Sequence, residues 1–312
     1  MDPVTPAAPP VPSPRARDLV RGAYDLHVHV GPDVMERRVD DLTLAGKFLE
    51  RGLAGFVLKS HYVPTAERAQ VVRNAVPGAD VRGAITLNAA VGGINPAAVE
   101  IAARSGATVV WLPTVDSANE RGSLARAPEG AVPPQWASVQ AALQARGIRA
   151  DPVTVLDERG HVTEPVRQVI DIVAEHGMVL ATGHLSGPEI LAVVRAAREQ
   201  GAERIVVTHP EFTSQRLGGS LQADLAAMGA LLERCFTTPY TGKVGWEEMF
   251  AHIRAAGPER SLLTSDLGQP FNPPVEDGLA LLADRLLAAG FTERQVRVMA
   301  VANSRGLVGA AV

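Results

Sequence analysis

Two histidines lie one residue apart in the segment YDLHVHV, residues 24–30. The segment is apolar and rich in β-branched residues, so we predict a strand that points His27 and His29 to the same side of its sheet. Imidazole nitrogens bind zinc and related metals, and they exchange protons near neutral pH. The pair alone is weak evidence for a metal site, because a single histidine in a strand is most often a hydrogen-bonded interior residue.

Further candidate ligands end later apolar runs of the chain. His184 ends MVLATGH, His209 ends RIVVTH and Asp266 ends SLLTSD. Four imidazoles and a carboxylate suit a divalent metal, zinc before manganese, iron or nickel. The five residues together, each at the end of an apolar run, therefore predict a metal site.

The elements that would position these ligands alternate regularly. Short apolar runs are followed by segments of helical periodicity, and eight runs are predicted strands: residues 24–30, 55–60, 81–87, 108–113, 178–184, 204–209, 233–238 and 261–266. Eight such units favour a closed (β/α)8 TIM barrel over the alternative, an open doubly wound sheet. The carboxyl ends of barrel strands share one mouth, so the fold would bring the five ligands together.

Two parts of the chain depart from this rhythm. The interval after the fourth strand is too long for an ordinary connection, and we expect it to cover the mouth and to end in a small hairpin at residues 151–163. Six of the first fourteen residues are proline. We therefore predict a disordered leader at residues 1–18 and a barrel domain at residues 19–312.

Composition excludes several classes of protein. The net charge is −4 with 21% charged residues, and no basic stripe indicates nucleic-acid binding. No apolar run reaches the roughly 18 residues of a membrane span, and no signal-like segment is present, so we expect a cytoplasmic protein. The single cysteine, Cys235, excludes a zinc site built from several thiolates. Ala/Leu-rich helices permit a homo-oligomer, but no interface can be identified.

The ligand pattern resembles that of the amidohydrolase superfamily. The motif is D-x-H-x-H at residues 25–29, with single histidines on strands five and six and an aspartate on strand eight. The tail VANSRGLVG also resembles the N-P-A-x-x-L-G segment of many members, with Ser304 in place of the proline. The resemblance implies a metal-dependent hydrolase of a small amide, lactone or ester. In that mechanism a metal activates the attacking water, His209 lies beside the polarised oxygen and Asp266 transfers the proton.

One feature of binuclear members is missing from this sequence. Many of them carry a carboxylated lysine or a glutamate on strand four, whereas here the nearest carboxylate is Asp116, just past the strand. Lys59 and His61, on strand two, have the parity to face the site. Lys59 is our candidate for a bridging ligand and catalytic group, with substrate binding as the alternative. The number of metal ions, one or two, stays open.

The substrate is expected to be a small molecule. Seven residues near strand ends are candidate substrate contacts: Arg37, Arg38, His61, Tyr62, Asn88, Tyr240 and Gln269. A phosphoester or phosphotriester hydrolase is an alternative, favoured if Arg37, Arg38 and Lys59 line one pocket. Metal-assisted decarboxylation or hydration on the same barrel is another. A non-catalytic scaffold with a vestigial site is the third.

Overall fold

A computed structural model describes residues 9–128, 130, 133–148 and 150–309. One parallel sheet runs in chain order through β1 (Tyr24–Val28), β2 (Gly55–Leu58), β3 (Asp80–Thr86), β4 (Ala107–Trp111), β5 (Val179–Ala181), β6 (Ile205–Val207), β7 (Leu231–Cys235) and β8 (Ser261–Thr264). The ends of the sheet meet, because the backbone N–H of Asp266 donates to the carbonyl of His27 at 2.9 Å and that of His29 to Leu267 at 2.8 Å. The predicted (β/α)8 barrel is confirmed.

Helices cover the outside of the barrel and part of its mouth. In chain order they are α1 (Pro14–Leu19), α2 (Asp41–Glu50), α3 (Ala66–Ala75), α4 (Pro96–Arg104), α5 (Ala118–Ala125), α6 (Ala137–Ala145), α7 (Glu164–Glu175), α8 (Gly187–Glu199), α9 (Gly219–Ala227), α10 (Thr237–Tyr240), α11 (Trp246–Ala256), α12 (Gly278–Ala288), α13 (Glu293–Arg297) and α14 (Asn303–Val308). Helix α7 shows why they pack. Its Val166, Val169, Ile170 and Val173 recur at helical spacing and are all buried.

The leader prediction is wrong for the residues just before the barrel. Residues 14–19 form α1, whose N-cap Ser13 donates its hydroxyl to Asp284 at 2.6 Å. Ala16 is fully buried against the barrel helices. Proline is typical of disordered segments, but Pro14 occupies the first turn of a helix, where proline is tolerated. Residues 1–8 of the predicted leader lie outside the described residues.

The long interval after β4 forms the expected cover and hairpin. Helices α5 and α6 lie in it, and Trp136 at the start of α6 packs with Met35 and Val115 over the mouth of the barrel. An antiparallel bridge between Leu156 and Val162 forms the hairpin. Within the described residues, no helix is both long enough and apolar enough to cross a membrane.

Candidate metal centre

Five imidazoles form a ring at the carboxyl ends of the strands. The ring centroids of His27 and His29 are 5.3 Å apart, those of His29 and His61 5.0 Å, and those of His61 and His184 6.3 Å. His184 lies 4.8 Å from His209, which lies 5.9 Å from His27. All five side chains are buried. The four histidines proposed as ligands therefore meet, and His61 completes the ring between His29 and His184.

Asp266 joins the ring on the side of β1. Its Oδ1 atom lies 3.1 Å from Nε2 of His27 and 3.1 Å from Nε2 of His29, and its Oδ2 atom accepts a hydrogen bond of 2.9 Å from Thr237. The three ligand atoms lie within 4.8 Å of one another. Thr237 thus holds one carboxylate oxygen, while the other faces the two imidazoles.

Three residues that the sequence argument missed orient the imidazoles. Nδ1 of His27 lies 3.0 Å from Glu233, and Nδ1 of His184 lies 3.1 Å from Glu120. Nδ1 of His209 lies 2.8 Å from Oε1 of Gln215. In each imidazole this leaves Nε2 for another partner, and such outer partners fix the tautomer of metal-binding histidines. A signal was present for Glu233, a carboxylate inside an otherwise apolar strand, whereas Glu120 and Gln215 come from loops and helices with no such pattern.

The backbone is strained where two of the ligands sit. His209 and Asp266 have positive φ angles of 22° and 52°, a region that side chains other than glycine rarely adopt. Residues held in such conformations cluster at functional sites. Gly183 and Gly268 permit the tight approach nearby, since a Cβ at Gly268 would collide with the carbonyl of His29 and one at Gly183 with the carbonyl of Leu112.

Burial and charge set the protonation of the ring. Burial lowers the pKa of His29 to about 3 and holds the pKa values of His61 and His209 well below the usual value. These imidazoles are therefore neutral at pH 7 and keep a nitrogen lone pair. Burial also lowers the pKa of His27, but Asp266 and Glu233 outweigh it and raise this pKa to about 9. In the absence of a metal, His27 thus keeps a proton that a bound cation would displace.

Lys59 reaches the same centre from β2. Its Nζ atom lies 2.8 Å from Nε2 of His27 and 5.1 Å from the centre of the Trp111 ring, and the side chain is buried. Burial lowers the pKa of Lys59. Cys235 contacts the other side of the His27 ring. Its Sγ atom lies 3.9 Å from Nδ1 of His27 and 3.2 Å from Oγ1 of Thr264, and the side chain is fully buried as expected.

A cleft connects the ring to solvent. It is lined by the candidate ligands His29, Lys59, His184, His209 and Asp266, by His61 and Gln269 as predicted, and by Met35, Arg37, Trp136, Phe212, Lys243 and Phe271 among others. Arg37 is at the wall but is already paired, because its guanidinium contacts Asp33 at 2.6 Å. The cleft is therefore polar at its floor and largely apolar along its walls.

Four predicted substrate contacts do not line this cleft. Arg38 instead donates to the carbonyls of Pro270 and Asn272 and holds the loop after β8. Asn88 is fully buried, where its side chain bonds the backbones of residues 61, 114 and 116. Tyr240 stacks on Phe236, and Tyr62 lines a neighbouring cavity beside α6. These four side chains therefore lie away from the cleft, because position after a strand does not fix the direction of a loop side chain.

The donor set fits a divalent metal. His27, His29 and Asp266 offer two nitrogens and one oxygen, and zinc bonds such atoms at about 2.0–2.2 Å. The Nε2 atoms of the two histidines both face Oδ1 of Asp266. The cleft is open to solvent, so it leaves room for a further ligand, as catalytic metal sites require. His184 and His209 present a second pair of nitrogens across the ring.

Comparison with known proteins places the chain in a family. Residues 22–233 match the model of a family described as a family of unknown function, DUF6282. The chain belongs to this family. The match spans the barrel from β1 to β7, so it includes four of the five proposed ligands and ends before Asp266. No curated protein matches this DUF6282 chain.

Solved structures share the fold over almost the whole chain. An amidohydrolase from Pseudomonas aeruginosa is 11% identical with a TM-score of 0.58, and the match covers 94% of this chain and 98% of that one. An amidohydrolase from Burkholderia multivorans with bound zinc is 12% identical with a TM-score of 0.57, and the match covers 93% of this chain and 99% of that one. A 2,6-dihydroxybenzoate decarboxylase complexed with 2,6-dihydroxybenzoate is 11% identical with a TM-score of 0.56, and the match covers 93% of this chain and 99% of that one. The chain thus shares its barrel fold with two amidohydrolases and a decarboxylase.

Proposed function

We propose that the protein is a metal-dependent hydrolase of a small amide, lactone or ester. The observation that carries the proposal is the convergence of ligand atoms of His27, His29 and Asp266 within 4.8 Å of one another, where His29 and Asp266 line a cleft open to solvent. Glu233, Glu120 and Gln215 lie at the Nδ1 atoms of His27, His184 and His209, which leaves Nε2 of each imidazole for a metal and supports ligation over purely structural roles.

A divalent ion bound by these residues would supply Lewis acidity and acidify a water molecule at neutral pH. Zinc suits the ligand set best, and manganese is the alternative. Asp266 then moves the proton. Its Oδ1 atom faces the ring and its Oδ2 atom is fixed by Thr237, so the carboxylate can accept a proton from water and return it to a leaving group without a change of rotamer. His209 lies across the ring, where it can orient the substrate oxygen.

Lys59 belongs to the same proposal. Its Nζ atom lies 2.8 Å from Nε2 of His27, so a protonated ammonium there would repel a cation bound to that nitrogen. Carboxylation would turn Lys59 from a competing cation into an additional oxygen ligand. The intact mass of the native protein tests this, because a carboxylated lysine adds one molecule of carbon dioxide.

Hydrolysis of phosphoesters is less well supported than amide, lactone or ester hydrolysis. It was favoured only if Arg37, Arg38 and Lys59 line the pocket together, yet Arg38 lies outside the cleft and Arg37 is paired with Asp33. Decarboxylation is the second candidate, supported by aromatic cleft walls and by the similarity in fold to a decarboxylase.

The test is a panel of aryl esters, lactones, N-acyl amino acids and aromatic acids, assayed with zinc-loaded and manganese-loaded protein. Metal-dependent release of alcohol or amine supports the hydrolase, and release of carbon dioxide supports the decarboxylase. Turnover that is unchanged in a chelator and in the His27→Ala variant would contradict both.

A further inference from the structure

Lys243 is a cation of the cleft that the proposed chemistry does not use. It lies between α10 and α11, and its side chain lines the same cleft as the candidate ligands. Its Nζ atom lies 5.4 Å from the centre of the Phe212 ring, which in turn lies 4.7 Å from the ring of His209 and 5.4 Å from that of His184. The ring of Phe212 therefore lies between Lys243 and the proposed ligands His184 and His209.

Its ammonium group has donors to spare. An ammonium has three N–H donors, and the hydrogen bond found for it within the described residues is one of 2.7 Å to the hydroxyl of Thr241. The carboxylates whose charge acts on Lys243 are those of Asp266 and Glu120. Both are engaged elsewhere, Asp266 with His27 and His29 and Glu120 with His184.

The other cations of the cleft differ from Lys243 in this respect. Arg37 is paired with Asp33, and Lys59 is buried against His27 at the floor. Lys243 is half-buried, between solvent and the aromatic wall. A positive charge placed there can bind an anionic group that enters from the mouth.

The surrounding walls define the rest of the ligand. Met35, Trp136, Phe212 and Phe271 line the cleft, and Phe271 is 73% exposed at its rim. Such a surface favours an apolar, flat body. One ammonium matches the single charge of a carboxylate, whereas a phosphate dianion is usually held by several donors or by the fork of an arginine.

We propose that Lys243 binds the carboxylate of a substrate that has an aromatic or similarly apolar body. This inference rests on the proposed function for the identity of the cleft as the substrate site. It makes Lys243 a specificity residue, which acts on binding and leaves proton transfer to Asp266.

The test compares benzoate with its neutral counterpart benzamide as probes. Dissociation constants are measured by isothermal titration with metal-free protein and with zinc-loaded protein, for the wild type, Lys243→Met and Lys243→Arg. Methionine keeps the length and the contact with Phe212 but removes the charge, and arginine restores the charge. Circular dichroism checks that the variants fold.

We expect the wild type to bind benzoate about tenfold more tightly than benzamide, in line with a hydrogen bond to a charged group. In metal-free protein the preference should disappear in Lys243→Met and return in Lys243→Arg; zinc-loaded protein shows how much a bound ion adds, since zinc can itself bind a carboxylate. A preference that survives in metal-free Lys243→Met, or a wild type that binds no benzoate, would overturn the proposal. A preference dependent on Lys243 in a protein that binds no metal would support this inference while contradicting the proposed hydrolase.

Discussion

Nδ1 of His27 lies 3.0 Å from Oε1 of Glu233, and both side chains are buried. The other oxygen of Glu233 accepts the backbone N–H of His209 at 3.0 Å. One carboxylate on β7 thus orients a proposed ligand on β1 and the backbone of another after β6. The pKa of Glu233 falls to about 2, because its burial is outweighed by the charge and hydrogen bond of His27.

We expect Glu233→Gln to weaken metal binding by about 10–100-fold, the usual effect of losing an outer partner of a metal-binding histidine. The amide keeps the shape but removes the negative charge that favours the Nδ1–H form of His27. Titration of metal-free protein with zinc against a competing chelator measures the change. Glu276→Gln is the matched control, since Glu276 is also buried but pairs with Lys47 on the outside of the barrel. Equal zinc affinity of wild type and Glu233→Gln would show that the pair is structural only.

Asp266→Asn should keep most of the metal and lose turnover by about 10²–10⁴-fold on whichever substrate of the panel is hydrolysed. The amide preserves an oxygen toward His27 and His29 but cannot carry the proton. Asp224→Asn, an exposed position on α9, should leave both metal content and rate unchanged. Near-wild-type turnover of Asp266→Asn would contradict the assigned proton transfer.

Gly268 lies at the junction of β8 and β1, where its φ is 136° and an added Cβ would meet the carbonyl of His29. We expect Gly268→Ala to reduce the free energy of unfolding by about 1–3 kcal/mol and to weaken metal binding, because His29 or Asp266 must shift. Gly46→Ala in α2 meets open space and should stabilise the protein by up to about 1 kcal/mol. Urea denaturation of both variants gives the comparison, and a Gly268→Ala protein as stable as the wild type would refute the close approach.

The opposite end of the barrel carries a pH-dependent contact. Tyr24 donates to Asp80 at 2.7 Å and Arg82 pairs with Asp80 at 2.6 Å. Burial raises the pKa of Asp80, but hydrogen bonds from Arg82 and Tyr24 outweigh it, so the pKa lies below its ordinary value of 3.8. A carboxyl whose pKa is lower in the folded state stabilises the fold above its ordinary pKa, and this stabilisation is lost as the pH falls through the folded value.

We therefore expect Asp80→Asn to flatten the fall in the free energy of unfolding between about pH 5 and pH 3. The effect should stay below about 1 kcal/mol, because the side chains of the pair are 33% and 28% exposed and water screens their charges. Urea denaturation across that range measures it. Identical pH profiles for wild type and Asp80→Asn would contradict the assignment.

Sequence periodicity was sufficient to predict the barrel, because parallel strands buried on both faces are nearly continuous apolar runs and each ends in a recognisable turn. The meeting of five side chains at one end of the barrel could be predicted for the same reason, since a side chain at a strand end has its position fixed by the fold; the five are His27, His29, His184, His209 and Asp266. Residues on loops could not. Arg38 and Tyr240 follow strands as Gln269 does, yet only the structure shows that Gln269 alone of these three lines the cleft.

Residues that contact the imidazoles from distant parts of the chain could not be predicted from the sequence either. Glu120 lies in α5 and Gln215 in the loop after β6, and nothing in their local sequence links them to His184 and His209. Lys243 was overlooked because it comes from a polar segment after α10, where a lysine is ordinarily a solvated surface residue. Its place above Phe212 depends on how that segment packs.

His27 and its neighbours are proposed to bind a divalent metal. Elemental mass spectrometry on protein purified without a histidine tag and without added metal tests this most directly. We predict about one or two equivalents of zinc or manganese per chain in the wild type and a loss of bound metal in His27→Ala. His176→Ala, which removes a histidine paired with Glu100 on the outside of the barrel, should keep the wild-type content. A wild-type protein that binds no divalent ion, even when zinc and manganese are supplied, would contradict the account.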